Sequence, residues 1–575
     1  MAWTTVPDGP RTRRSIMPAL PVRTFFVLAL LTASIAAQGQ PMLELQSSFG
    51  TSPSYSPRGF FASPDFVTVT LDAGPARAFA SGGITVALAM QPPQTIPGIP
   101  DPLGIDLNTV VFTLPVVLNQ NGRFLFSVPF GPGLAEGWFV AMQAYVATPG
   151  EAAPLRLSQA MGLVVLDGSA SSIYVDGDQT GAGSGTPYDP WPTINDAFAN
   201  LPAGPATVHV DDVETAPGLY EEIVFVPSDV HLIGDTWYSQ SGVRPVVRAP
   251  VDSNGHVKRG SVNVLQANNV TVERLEVHLS RHVSRVQARC FWCKTAGNLT
   301  VRDCVFTGMA PGVYTTRAVF IGPDSDALVE HCTVTDIEGD PNATGVAITI
   351  SGIGIRVGGG GTSNMTVRNC RIQNFYTQVL PGISHVQAIG IGFHNAQNVI
   401  LQNNVIGPFL VGPHGGATGE LIGIQGTLNP TAQQVFANNV IFDFSLVPLS
   451  GASAQVFGMR LFGPSGATWN LTTITNNIID NLDPGTAFSI ASTAYDSPDS
   501  LPLTVDYTCI DQVMIPFSPS SFIQGPGIIL ADPLLDPVDQ SLLPGSPCIG
   551  TGNPALPPPD MGIFGGPFAG PAGAF

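Results

Sequence analysis

From Ile173 onward the chain is built from one short unit, copied at irregular spacing. Asn269-Val-Thr-Val-Glu-Arg-Leu-Glu-Val277 returns as Asn298-Leu-Thr-Val-Arg-Asp-Cys-Val-Phe306, Asp326-Ala-Leu-Val-Glu-His-Cys-Thr-Val334 and Asn364-Met-Thr-Val-Arg-Asn-Cys-Arg-Ile372. It returns again from Asn398, Gln433 and Leu471, so successive starts differ by 29, 28, 38, 34, 35 and 38 residues. A second pattern keeps step: Ala318-Val-Phe-Ile321, Gly354-Ile-Arg-Val357, Gly390-Ile-Gly-Phe393, Gly423-Ile-Gln-Gly426 and Gly458-Met-Arg-Leu461. Two strand-like patterns locked to one period mean coils joined by loops of variable length. A helical repeat would show 3.6-residue periodicity inside each unit, and none does. One coil cannot bury its own apolar residues, so neighbours must stack.

Stacking turns sequence positions into columns. Val272, Val301, Val329, Val367, Leu401, Phe436 and Ile474 are expected as one buried ladder, and Val319, Ile355, Ile391, Ile424 and Met459 as another. Cys304, Cys332, Cys370, Asn404, Asn439 and Asn477 share a column at a bend. An inward Asn there can bond backbone groups and the next Asn, and a small Cys fits the same space. Parallel stacked thiols approach wrongly for disulfides, so the seven cysteines are expected mostly as buried thiols. Thr193 is a candidate N-cap for a helix over 194–201, whose apolar face suits the first coil. The Pro- and Gly-rich segments from Ser546 and Asp560 are expected to close the other end.

Residues 38–168 carry no repeat. Phe66-Val-Thr-Val-Thr-Leu71, Gly83-Ile-Thr-Val-Ala-Leu88 and Gly122-Arg-Phe-Leu-Phe-Ser-Val128 alternate apolar and polar residues, which suits a small antiparallel β-sandwich. At the N-terminus, Arg11, Arg13, Arg14 and Arg23 precede the apolar run Thr24–Ala37. That run is short for a membrane span and ends in small residues, so 1–37 is expected as a cleaved signal peptide. Export to periplasm, cell surface or medium follows, by the general or the twin-arginine route. No later segment is long and apolar enough to span a membrane.

The formal net charge is −19, which argues against nucleic acid as a partner. An uncharged ligand is easier to accommodate. A polyanion would need Ca²⁺ or a local cluster of arginines.

Tyr174-Val-Asp-Gly-Asp178, Pro192-Thr-Ile-Asn-Asp-Ala-Phe198, Pro217-Gly-Leu-Tyr-Glu-Glu-Ile223 and Val230-His-Leu-Ile-Gly234 resemble the opening coils of secreted pectin-lyase-like β-helix proteins. Ser546-Pro-Cys-Ile549 and Asp560-Met-Gly-Ile-Phe-Gly-Gly566 resemble the tail of the same group. The resemblance implies a right-handed parallel β-helix of about ten coils over 169–575, which with the β-sandwich-like domain read over 38–168 makes an all-β chain. It implies a polysaccharide partner but no particular activity, because this fold hosts lyases, hydrolases, epimerases and adhesins. The pectin-hydrolysing pattern of paired Asp, Gly-His-Gly and Arg-x-Lys is not met: Asp211-Asp212 falls in the opening coils, Gly412-Pro-His-Gly415 has an extra residue, and no Arg-x-Lys occurs.

Four sets of residues stand out. Glu273, Arg302, Glu330 and Arg368 share one outward column with alternating sign, as in a ladder of cross-strand pairs. Trp292, Phe320, Arg356, Gln425 and Arg460 share another, interrupted by Gly392. Aromatic, amide and guanidinium groups on one strip suit sugar binding, though a plain solvated face would look the same. Arg356, His394 and Arg460 are the candidates for catalysis if the protein is an enzyme. Asp336, Glu338, Asp340 and Asn342 place oxygen ligands at alternate positions of a long coil, where calcium could bind or the loop could simply be polar. No cofactor motif is evident, and the oligomeric state is open. Two functions remain: a protein that binds or processes polysaccharide along the helix flank, or a non-catalytic structural or adhesive surface protein.

Overall fold

Alternating Val, Ile and Leu, broken at fixed points by Asn, Asp and Gly, makes short strands that turn sharply and stack. The computed structural model describes residues 42–46, 60–62, 66–129 apart from 74 and 89, 139–147, 153, 155–158, 160–166, 171–186, 189–235, 243–250, 260–279, 288–310, 315–339, 349–357, 364–378, 385–394, 396–412, 418–446, 453–482, 487–494, 501–511, 515–518, 523–556 and 560–563. The expected signal peptide, Asp340 and Asn342 lie outside these. The chain divides into two units, Met1–Ser169 and Ala170–Phe575.

The second unit is a right-handed parallel β-helix with three sheets. The first sheet has 12 strands, running from Ser172–Val175 through Asn268–Glu273 and Asn364–Arg368 to Ile523–Gln524. The second has 12, from Tyr220–Glu221 to Cys509–Ile510. The third has 10, from Val224–Phe225 through Ala288–Lys294 and His385–His394 to Ile515–Ser518. Both expected apolar ladders are buried, from Val272 to Ile474 and from Val319 to Met459, with exposures of 0–1%. On the second sheet Phe375, Phe409 and Phe444 stack with ring centroids 4.6 and 4.7 Å apart.

The bend between the first and second sheets has a polar spine. Asn404 Nδ2 donates to Asn439 Oδ1 at 2.9 Å, and Asn439 Nδ2 donates to Asn477 Oδ1 at 3.0 Å. The amides also donate to carbonyls one coil back, at Val367, Leu401 and Phe436. In the earlier coils Cys304, Cys332 and Cys370 direct their thiols at the equivalent carbonyls of Val272, Val301 and Val329, 3.6–3.7 Å away. The residue before each of these is left-handed: Asp303, His331, Asn369, Asn403, Asn438 and Asn476 have φ between 52° and 59°. Asn and Asp tolerate that region best. The two asparagines of each Asn-Asn pair therefore have different tasks, the first turning the chain and the second filling the bend.

Thr193 caps the helix as expected, accepting from the Asp196 N–H at 3.0 Å, but the helix ends at Ala199 rather than Leu201. Ile194 and Ala197 join the core, and Phe198 and Leu201 pack against it. The C-terminal segment corrects an expectation. Cys548, Met561 and Ile563 lie on the outer flank of the second sheet, against Val405, Val440, Ile478 and Cys509 of successive coils. Asn403 Nδ2 donates to the Ile563 carbonyl at 2.8 Å, and Asn476 Oδ1 accepts from the Asn553 N–H at 2.7 Å. An outward column of apolar residues needs cover, and this strap supplies it.

The first unit has strands at the expected places, among them Phe66–Asp72, Ser81–Ala87 and Arg123–Pro129. Its sheets are mixed rather than purely antiparallel, because Met42–Gln46 runs parallel to Phe66–Asp72, and Phe60–Ala62 parallel to Met161–Leu166.

Replacing Asn439 by Ala orphans the Leu401 carbonyl and part of the Asn404 amide. At about 1–3 kcal/mol for each buried group, chemical denaturation of Asn439→Ala should show a loss of about 3 kcal/mol; an unchanged midpoint would refute the spine's importance. All seven cysteines are free and buried. Thiol titration of the unfolded, unreduced protein should therefore find them reactive, and a majority blocked would contradict the packing.

Candidate ligand-binding face

The outer side of the third sheet holds the strip singled out in the sequence. Trp292, Phe320, Arg356, Gly392, Gln425 and Arg460 are register partners on six consecutive coils. All but the glycine are partly exposed. Two residues earlier in each strand the sheet bends inward, at Cys290, Ala318, Gly354, Gly390, Gly423 and Gly458. A Cβ on Gly354 would meet the Gly390 carbonyl at 2.5 Å, and one on Gly390 the Gly423 carbonyl at 2.6 Å, so the chain passes too close for a side chain. Because Cys290 and Phe291 are both fully buried, alternation skips a step, and Arg289 comes out on the same side as Trp292.

That skip adds Arg289 and Arg317 to the face, and neither was singled out from sequence. Strict alternation would have put them inside with Phe291 and Val319. The recurring glycine two residues before the solvent-facing position was the available signal. Arg289 Cζ sits 4.8 Å from the Trp292 ring centroid and 4.7 Å from that of Phe320. Arg317 Cζ sits 4.8 Å from the Phe320 ring. Guanidinium–π stacking of this kind fixes both partners.

Further along, Arg460 lies over Phe457 and reaches Glu420, with Nη1 2.9 Å from Oε1. Gln387 Nε2 donates to Glu420 Oε2 at 2.7 Å, and His385 Nε2 lies 3.5 Å from the same oxygen. Burial works against ionisation, but the His385 contact and the Arg460 charge hold the Glu420 carboxyl down at about 2. Under this polar bridge Ile389, Ile422, Phe457 and Ala491 form a small apolar cluster of their own. His394 is exposed at the strand end, its Nδ1 2.9 Å from Thr427 Oγ1. Arg356, His394 and Arg460 share the face, but the Arg460 charge is already neutralised by Glu420.

Charge is sorted by sheet. The 10 strands of the third sheet carry one carboxylate, Glu420, against Arg289, Lys294, Arg317, Arg356 and Arg460. The second sheet carries Glu221, Glu276, Asp336, Glu338, Asp443 and Asp480 against Arg248 and Arg371. There the Asp480 carboxyl is pushed up to about 7 by burial, then by the charges of Asp511 and Asp532. The first sheet holds the alternating ladder: Arg302 Nη2 is 2.5 Å from Glu273 Oε2, and Arg368 Nη2 is 2.6 Å from Glu330 Oε2. His231 extends it one step, 3.0 Å from Glu273.

Of the four proposed calcium ligands, Asp336 alone has a described side chain. It is exposed, and its Oδ2 accepts from the Thr335 hydroxyl at 2.8 Å. Its φ of 53° places it at a left-handed bend, as at Asn374, Asp443 and Asn481, which is a backbone reason for an Asp there. Among the described residues no three His, Cys, Asp or Glu are grouped to hold a metal ion, and no helix is long and apolar enough to cross a membrane.

Residues 289–496 match the family described as right handed beta helix region. That span contains the whole strip from Arg289 to Arg460. No curated protein and no solved structure matches the chain.

The Glu420 interactions give a pH signature. Its folded-state pKa lies below the unfolded value, so the stabilisation is present above about pH 4.5, the ordinary value, and is lost as pH falls through about 2. Glu420→Gln should flatten the stability profile across that window, measured by denaturation at several pH values; an unaltered acid limb would refute the pairing.

Proposed function

We propose that this is an exported β-helix protein that binds polysaccharide along the outer face of its third sheet. The observation that carries the reading is the register of Trp292, Phe320, Arg356, Gln425 and Arg460 in one strip, with Gly392 leaving a gap in it. Coils about 4.8 Å apart offer an extended chain a contact at every step. Aromatic rings supply apolar contact, and Gln and Arg supply donors that a hydroxylated ligand can satisfy. The Arg-flanked apolar run before Gln38 supports export to the periplasm, surface or medium. Processing of the glycan would draw on Arg356 and His394. Acid–base cleavage of a glycosidic bond commonly needs two carboxylates across the scissile bond, and the strands of this face carry only Glu420.

A non-catalytic structural or adhesive rod is the second reading. It is favoured by the unbroken stacking of amides, thiols and phenylalanines through successive coils.

A glycan panel on the full chain, with and without Ca²⁺, decides between them by recording retention together with release of unsaturated or reducing ends. Retention should fall at least tenfold, about 1.4 kcal/mol, in Trp292→Ala and Gln425→Ala. Retention without product means binding only. No retention of any glycan would move the assignment to the rod.

A further inference from the structure

Three arginines lie on three consecutive strands of the third sheet. Arg289 and Arg317 are register partners one coil apart, and Arg356 is the register partner of Phe320 on the following coil. Burial pushes the Arg289 guanidinium down to about 10, and burial followed by the charges of Arg356 and Arg289 pushes Arg317 down to about 9. Burial lowers Arg356 as well.

Several other described arginines have carboxylate partners. Arg156 meets Asp101 at 2.6 Å, and Arg302, Arg368 and Arg460 meet Glu273, Glu330 and Glu420 at 2.5, 2.6 and 2.9 Å. Among the described residues no carboxylate forms an ion pair with Arg317 or Arg356, and Arg317 Nε is buried with no hydrogen-bond partner. Like charges held together and half desolvated destabilise a fold unless an anion joins them. Acidic residues outnumber Lys and Arg by 42 to 23 in this chain, so the clustering runs against the average charge.

We propose that Arg317 and Arg356, with Arg289 stacked on Trp292 and Phe320 beside them, form a binding site for an oxyanion carried on a sugar ring, as a sulfate ester or a carboxylate. A guanidinium fork matches both groups with paired N–H donors, and it does so without a bridging metal. The rings of Trp292 and Phe320 hold the Arg289 and Arg317 forks in place, so little of their side-chain freedom is lost on binding. The inference rests on the polysaccharide reading for the sugar that bears the anion, but the arginine site itself does not.

The test uses the full chain in chelator at fixed ionic strength, with dextran, dextran sulfate and polygalacturonate as immobilised ligands and sodium sulfate and galacturonate as small probes. At least one anionic polymer should be retained tenfold or more over dextran, and which one identifies the oxyanion. Arg317→Gln and Arg356→Gln should each lose that preference while melting no lower than the parent, because a repulsion has been removed. Lower melting with retention unchanged would make these arginines structural and overturn the proposal. Equal retention of dextran and both anionic polymers would overturn it while the polysaccharide reading stood. A small anion that raises the parent's melting temperature more than that of either variant, with no polymer retained, would keep the oxyanion site and sink the polysaccharide reading. Neither retention nor a differential shift would overturn both.

Discussion

In a parallel stack every side chain has its register partner directly above and below, about 4.8 Å away. Each column is therefore a chain of near-identical environments, and its chemistry must be tolerable next to itself. Apolar columns satisfy this by packing. Amide columns satisfy it because an amide both donates and accepts, so Asn404, Asn439 and Asn477 bond in series. A charged column satisfies it only by alternation, as Glu273, Arg302, Glu330 and Arg368 show, or by acquiring a counter-ion from outside. Arg317 and Arg356 form no ion pair among the described residues, which is why the third-sheet face reads as chemically unfinished.

The columns were legible because their period survives loops of different length. Val272 to Ile474 and Trp292 to Arg460 needed only the repeat to be aligned with itself. The C-terminal strap was not legible in the same way, since Cys548, Met561 and Ile563 belong to no repeat and their target is an outward column. A sequence can show that Val405, Val440 and Ile478 lie in register, but not what covers them. Arg289 and Arg317 were hidden by a different cause: the bend at Cys290 and Gly354 breaks the two-residue alternation on which inside and outside were assigned.

The net charge of −19 is an average over faces that differ. The second sheet gathers carboxylates, the first alternates the two signs along one column, and the third gathers guanidinium groups. An argument from total charge alone favours an uncharged ligand, whereas the third sheet presents a local field of the opposite sign. For an elongated stack the sheet, rather than the chain, is the unit over which charge should be summed, because screening at physiological salt limits each charge to about 8 Å.

Repeat stacks ordinarily loosen from their ends, one unit at a time, because each unit touches only its neighbours. The C-terminal strap changes that topology. Through Ile563 it bonds to Asn403, and through Asn553 and Gly562 to Asn476, so the strap grips coils that precede it in the chain by many residues. The final coil cannot peel away until this clasp lets go, and the clasp cannot let go without uncovering Val405, Val440, Ile478 and Cys509 together. Fraying is thereby converted into an all-or-none event spanning several coils, and the C-terminal half of the stack acquires the cooperativity of a globular domain.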